Sequence, residues 1–330
     1  MKPKNLIVFD MDGVIIDVSN SYRDVVRQTT KQFFNPAKAA KQLPEPLFKL
    51  SDLAAVKQSG GLNNDWDLTV AVISLLFTLV DALKVHESRD PWARYRQTMC
   101  KCNLNRLVGF LTSTDNPLKS LLNQWGKPEH PFIAGLYGGD VSSGNIIKQI
   151  FQEIYLGSAL FKSTYQMEPK IYRGKGYILR EKLLIDRSIL AELSQENILA
   201  IATGRPGSEA EYPLKHFQLR PFFPVVLTLD DCVKEEKRIL AEEGRAVSLS
   251  KPDPFMLDVI AEGYRNTVNR FFYIGDMPDD MLAAARSRFR FKSIGILISA
   301  PDKSSLKKNL QRAGADYVVE DFESLKKIIL

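Results

Sequence analysis

The sequence predicts an α/β protein: a parallel sheet interrupted, after its first strand, by a long and mostly helical insertion. Three observations carry that expectation. Residues 6–9 form an apolar run with the character of a strand buried on both faces. From residue 183 onward, short apolar strands alternate with helical patterns, as in a sheet wound by right-handed crossovers. Between these parts, residues 19–187 read as helices punctuated by proline and glycine.

Taken in order, strand 6–9 delivers Asp10 and Asp12, and Gly13 lets the chain turn away. Strand alternation puts both carboxylates on the same side of the strand. Open α/β sheets bind ligands at the carboxyl ends of their strands, so this is a functional address. Helices are expected over 22–34, 47–57, 68–85, 103–111 and 145–156. Strands follow at 198–203, 224–229, 270–274, 292–298 and 315–319, with helices at 209–217, 253–264, 279–288 and 304–312. The first strand belongs to the same sheet, which divides the chain into 1–17 plus 184–330 and an inserted 18–183.

The 330 residues carry 45 Lys and Arg against 39 acids, a net charge of +6 that suits an anionic small molecule. The basic residues are scattered rather than striped, which argues against nucleic acid. The longest apolar run, residues 68–80, is too short to span a bilayer, and no apolar signal segment precedes the first strand. Three cysteines, with Cys100 and Cys102 lacking a second ligand pair, read as free thiols in a reducing, cytoplasmic setting. His86, His130 and His216 show no ligand spacing.

Further signals fall at strand ends. Ala202-Thr203-Gly204-Arg205-Pro206 offers a hydroxyl and accessible backbone N–H groups suited to a phosphate oxygen. Lys251-Pro252 places an ammonium just before a helix. Phe272-Tyr273-Ile274-Gly275 runs into Asp276-Met277-Pro278-Asp279-Asp280, where some acids could be helix caps but Asp276 follows the strand directly. Each signal alone is ambiguous. In this order, D-x-D-G, T-G-R, K-P and G-D-x-x-x-D resemble the haloacid dehalogenase-like superfamily, over residues 5–17 and about 195–330. Thr203 follows Asp10 by 193 residues, a longer insert than the simplest members carry.

The resemblance implies a Rossmann-like core with a helical cap inserted after strand 1, and a phosphatase acting on a small phosphorylated metabolite. It further implies Asp10 as nucleophile and Asp12 as general acid and base. Thr203, Gly204, Arg205 and Lys251 would bind the phosphate. Mg²⁺ would sit among Asp10, the Asp12 carbonyl, Asp276 and Asp280, with Asp280 holding either Lys251 or a metal-bound water. A phosphomutase or phosphotransferase, or a non-catalytic phospho-ligand-binding protein, uses the same fold; a monomer or homodimer is expected. In the insertion, residues 60–67 read as a helix-capping loop on Asp65 or Asp67, or as a specificity loop; residues 172–177, with Arg173, form a cationic loop.

Overall fold

The computed structural model describes residues 5–59, 64–81 and 84–330. The chain forms two compact units, Met1–Val18 with Glu181–Leu330, and Ser19–Arg180. The first unit holds a six-stranded, all-parallel sheet. Its strands are β1 (Asn5–Phe9), β4 (Asn197–Ala202), β5 (Val225–Leu227), β6 (Arg270–Gly275), β7 (Lys292–Ile296) and β8 (Tyr317–Val319), in the order β5-β4-β1-β6-β7-β8. A separate two-residue antiparallel ladder joins β2 (Ile16–Asp17) to β3 (Lys182–Leu183).

β1 is central and wholly buried, which is why it reads as an unbroken apolar run. Leu6 and Val8 share one face with Ala200, Ala202 and Tyr273, against Met256, Leu257, Ile260 and Ala261 of the helix Phe255–Tyr264. Phe9 lies level with both Ile201 and Ile274, so three strands end together. That register brings Asp10, Thr203 and Asp276 to one edge of the sheet.

The second unit is helical. Its first helix, Tyr22–Phe34, packs on Asp65–Phe77 and on Ile146–Tyr165, with Tyr22 stacked on Tyr155 at 4.1 Å between ring centroids. The helix expected over 68–85 starts at Asp65 and stops at Phe77, since Asn64, rather than Asp65 or Asp67, caps it by accepting from the Asp67 N–H at 2.7 Å. Residues 82 and 83 of that expectation, and 60–63 of the expected specificity loop, lie outside the described residues. The helical turns expected to end at 156 do so: Gly157 leaves helical geometry at φ +71°, and turns resume to Tyr165.

A Cβ on Gly157 would lie 2.2 Å from the Gly176 N, and one on Gly176 2.2 Å from the Leu156 O, so two backbones cross where only glycine fits. Buried Glu153 accepts from the N–H groups of Lys170, Ile171 and Tyr172 at 2.7–3.0 Å. Residues 172–177 are therefore anchored at both ends, with Arg173 and Lys175 exposed. Helices at Pro91–Met99, Pro117–Trp125, Arg187–Glu196, Leu229–Glu243 and Phe322–Ile329 were not expected from the periodicity.

Candidate active site

β1 extends one residue past its last ladder pair, with the Asp10 N–H donating to the Ile274 O at 2.8 Å. The chain then doubles back: the Gly13 N–H donates to the Ile16 O, and the Ile15 and Ile16 N–H groups to the Met11 O. Gly13 sits at φ +76°, and a Cβ there would fall 2.1 Å from Asp276 Oδ2. The glycine thus serves the turn and the close approach of a neighbouring carboxylate together.

Asp10 is buried, and its Oδ1 lies 2.8 Å from Lys251 Nζ. Lys251 also reaches Asp280 Oδ1 at 2.8 Å, and the Tyr273 hydroxyl donates to the same oxygen at 2.8 Å. Asp280 Oδ2 accepts the Met277 N–H at 3.0 Å, at the start of the helix Pro278–Arg286. Asp280 can fold back this way because residue 275 is glycine; a Cβ there would come within 2.3 Å of Asp280 Cβ. Of the two roles expected for Asp280, the structure places it on Lys251. Ser299 Oγ donates to Asp276 Oδ2 at 3.4 Å.

Carboxylate oxygens of Asp10, Asp276 and Asp280 lie within 4.8 Å of one another. Burial pushes the Asp10 carboxyl up from 3.8 to about 8; Lys251 offsets part of this, while Asp280, Asp276 and Asp12 add to it. Burial would pull the Lys251 ammonium down, but Asp10 and Asp280 hold it well above its ordinary value. Burial, then the charge of Asp280, keeps the Tyr273 phenol protonated as a donor. One ammonium does not balance this cluster of acids. A hard divalent cation bound by oxygen alone fits that imbalance.

A stability consequence follows. Between the unfolded value of 3.8 and about 8, folded Asp10 keeps a proton that the unfolded chain has released, so its contribution falls as pH rises through that window. In chelator the melting temperature is expected to fall from about pH 5 to pH 8, with Mg²⁺ flattening the slope. An equal slope with and without the ion would show that the cation does not reach this carboxylate.

The remaining expected residues are placed as follows. Thr203 is buried, its N–H donating to the Leu227 O at 3.0 Å and its Oγ1 accepting the Arg205 N–H at 3.2 Å. Gly204 is exposed, with open space where a side chain would be. The Asp12 carboxylate accepts from Arg205 Nε at 2.6 Å and is not one of the three carboxylates grouped above. Arg205 is the correction. Expected to bind phosphate, it is only 2% exposed and its guanidinium lies on Asp12 and Glu181. Tyr273 and Glu181 escaped the sequence reading. A strand tyrosine looks like core, and nothing in residue order links Glu181 to the strand ends.

The family model of haloacid dehalogenase-like hydrolases matches residues 186–294, which lie within the sheet unit. Among solved structures, an X-ray structure of a structural-genomics target covers 100% of this chain, and 98% of its own, at 22% identity and a TM-score of 0.63. Phosphatase Tt82 from Thermococcus thioreducens aligns over 93% of this chain and 99% of its own, at 20% identity and a TM-score of 0.51. These likenesses establish the fold. An imidazoleglycerol-phosphate dehydratase from Phytophthora nicotianae is 22% identical over 287 residues, 86% of this chain; the chain spans 42% of that protein's length.

Proposed function

We propose that this chain is a Mg²⁺-dependent phosphomonoesterase that works through an aspartyl-phosphate on Asp10. The observation that carries the reading is the convergence of Asp10, Lys251, Asp276 and Asp280 at the level ends of β1 and β6, beside the open backbone of Gly204. In this reading Asp10 attacks phosphorus with the oxygen that Lys251 does not hold. The bond from phosphorus to the leaving oxygen breaks, and Asp12 gives that oxygen its proton. Water then attacks the phosphorus, passes a proton to Asp12, and inorganic phosphate leaves Asp10. Lys251, Thr203 Oγ1 and the Gly204 N–H stabilise the charge on the transferring group. Mg²⁺ would be held by the Asp10 and Asp276 carboxylates and the Asp12 carbonyl, and would supply further neutralisation of the phosphoryl oxygens.

The substrate in this reading is a small phosphorylated metabolite met in the cytoplasm, with no nucleic-acid or membrane partner. Among the described residues no helix is long and apolar enough to cross a membrane. The relative named for imidazoleglycerol phosphate puts imidazole-bearing alkyl phosphates first in a substrate panel. Phosphate release from an aryl phosphate and from that panel is expected with Mg²⁺ and is expected to vanish in EDTA. Full activity in chelator would rule the proposed site out. Phosphoryl transfer to a second alcohol without free phosphate would indicate a mutase instead.

A further inference from the structure

We infer that Arg205 and Glu181 form a positioning pair that sets the side chain of Asp12, an inference that rests on the phosphatase reading above. Arg205 is among the largest fully buried side chains, and its side chain and that of Glu181 are each only 1% exposed. One edge of the guanidinium meets Asp12, with Nε at 2.6 Å and Nη2 at 2.5 Å from Oδ1. The other edge meets Glu181 through Nη1 to Oε2 and Nη2 to Oε1, both at 3.1 Å. Nη1 also donates to the Glu209 O at 3.2 Å. The backbone of Arg205 is held at both ends, its N–H on Thr203 Oγ1 and its O accepting from the Leu229 N–H.

A buried guanidinium is tolerable only with such partners, since an unpaired buried charge is strongly destabilising. The geometry has a direct consequence for Asp12. Glu181 fixes the plane of the guanidinium by a two-point contact, and that plane fixes Oδ1 of Asp12. Oδ2 is left to exchange the proton with the leaving oxygen. A lysine has one nitrogen and cannot span both carboxylates in this way. Arg205 therefore acts through Asp12 and touches no substrate.

The test compares kcat/KM with Mg²⁺ on p-nitrophenyl phosphate and on the best alkyl phosphomonoester of the panel. An aryl oxide leaves without a proton, whereas an alkoxide needs one, so misplacing the acid should harm only the alkyl ester. Arg205→Lys and Glu181→Gln are expected to lower kcat/KM on the alkyl ester by about 10²-fold, the scale of general-acid help. The aryl ester should change by only a few-fold, since kcat/KM there ends at departure of the leaving group, before Asp12 takes the proton from water. Equal losses on both esters, or no loss on either, in variants that melt as the parent does, would overturn the pair's role while leaving the phosphatase reading intact. If Arg205→Lys fails to fold, Glu181→Gln carries the same comparison alone. A parent protein inactive on every ester would overturn the phosphatase reading and this inference with it.

Discussion

Replacing Asp10 by Asn is expected to reduce phosphate release to background while leaving the protein at least as stable as the parent in chelator. The amide cannot form an acyl-phosphate, so turnover has no alternative route. Stability should hold because burial and three neighbouring acids already penalise a charge at this carboxyl, and Asn removes that charge at nearly constant shape. Asp12→Asn is expected to keep metal binding, which would use its backbone carbonyl, and to slow turnover of alkyl esters by about 10²-fold or more. Single-turnover assays, with thermal melting in EDTA and in Mg²⁺, read both outcomes. Residual turnover in Asp10→Asn near the parental rate would remove Asp10 as nucleophile; equal loss of metal binding in both variants would contradict their separate roles.

Lys251→Met should be costly in a different way. Lys251 contacts Asp10 and Asp280 at 2.8 Å each, and all three side chains are largely buried. Removing the ammonium leaves two carboxylates facing each other, and breaking a buried ion pair from one side destabilises by about 3–5 kcal/mol. The deficit should grow from about pH 7 to pH 9, because the parent releases the Asp10 proton near 8 with Lys251 beside it, whereas the variant escapes the repulsion only by keeping it. Mg²⁺ should recover part of the stability but not the activity, since a cation fixed on the transferring group is also lost, worth about 10²–10³-fold in kcat. Urea unfolding at the two pH values, with and without the ion, measures the first part. Unchanged stability at both would mean that Lys251 does not carry the charge balance of the cluster.

Much of the sheet unit was legible in residue order. A central parallel strand is buried on both faces, so residues 6–9 could be little other than apolar, and the acids that end β1 and β6 stand out against those runs. The side on which a polar group faces was not legible. Arg205 after a T-G turn could point outward to an anion or inward to a carboxylate. Its partner Glu181 stands 24 residues upstream, in a stretch that reads as part of the insertion. Tyr273 lies in an aromatic strand where packing is the default reading, and only its hydroxyl bond to Asp280 distinguishes it. In the helical unit the apolar run past residue 77 suggested a longer helix, because hydrophobicity marks burial and not the hydrogen bonds that end a helix. Asn64 could not be chosen over Asp65 or Asp67 as cap, since Asn and Asp side chains both accept a backbone N–H two or three residues on.

The placement of β1 also has a consequence for how the chain reaches its fold. Both neighbours of this strand lie far along the chain, Asn5 pairing with Asn197 on one side and with Arg270 on the other. A ribosome adding about 5–20 residues per second needs on the order of ten to forty seconds between β1 and the first of these partners. Contacts of such sequence separation also carry a loop-closure penalty and slow the search for the native pairing. Through that interval a fully apolar strand has left the exit tunnel with no sheet to enter. The helical unit, Ser19–Arg180, is contiguous and emerges first, so it can condense on its own and draw the ends of its segment together, where the short ladder of Ile16–Asp17 with Lys182–Leu183 closes. The insertion would then act as a folding splint, shortening the effective distance that β1 must search.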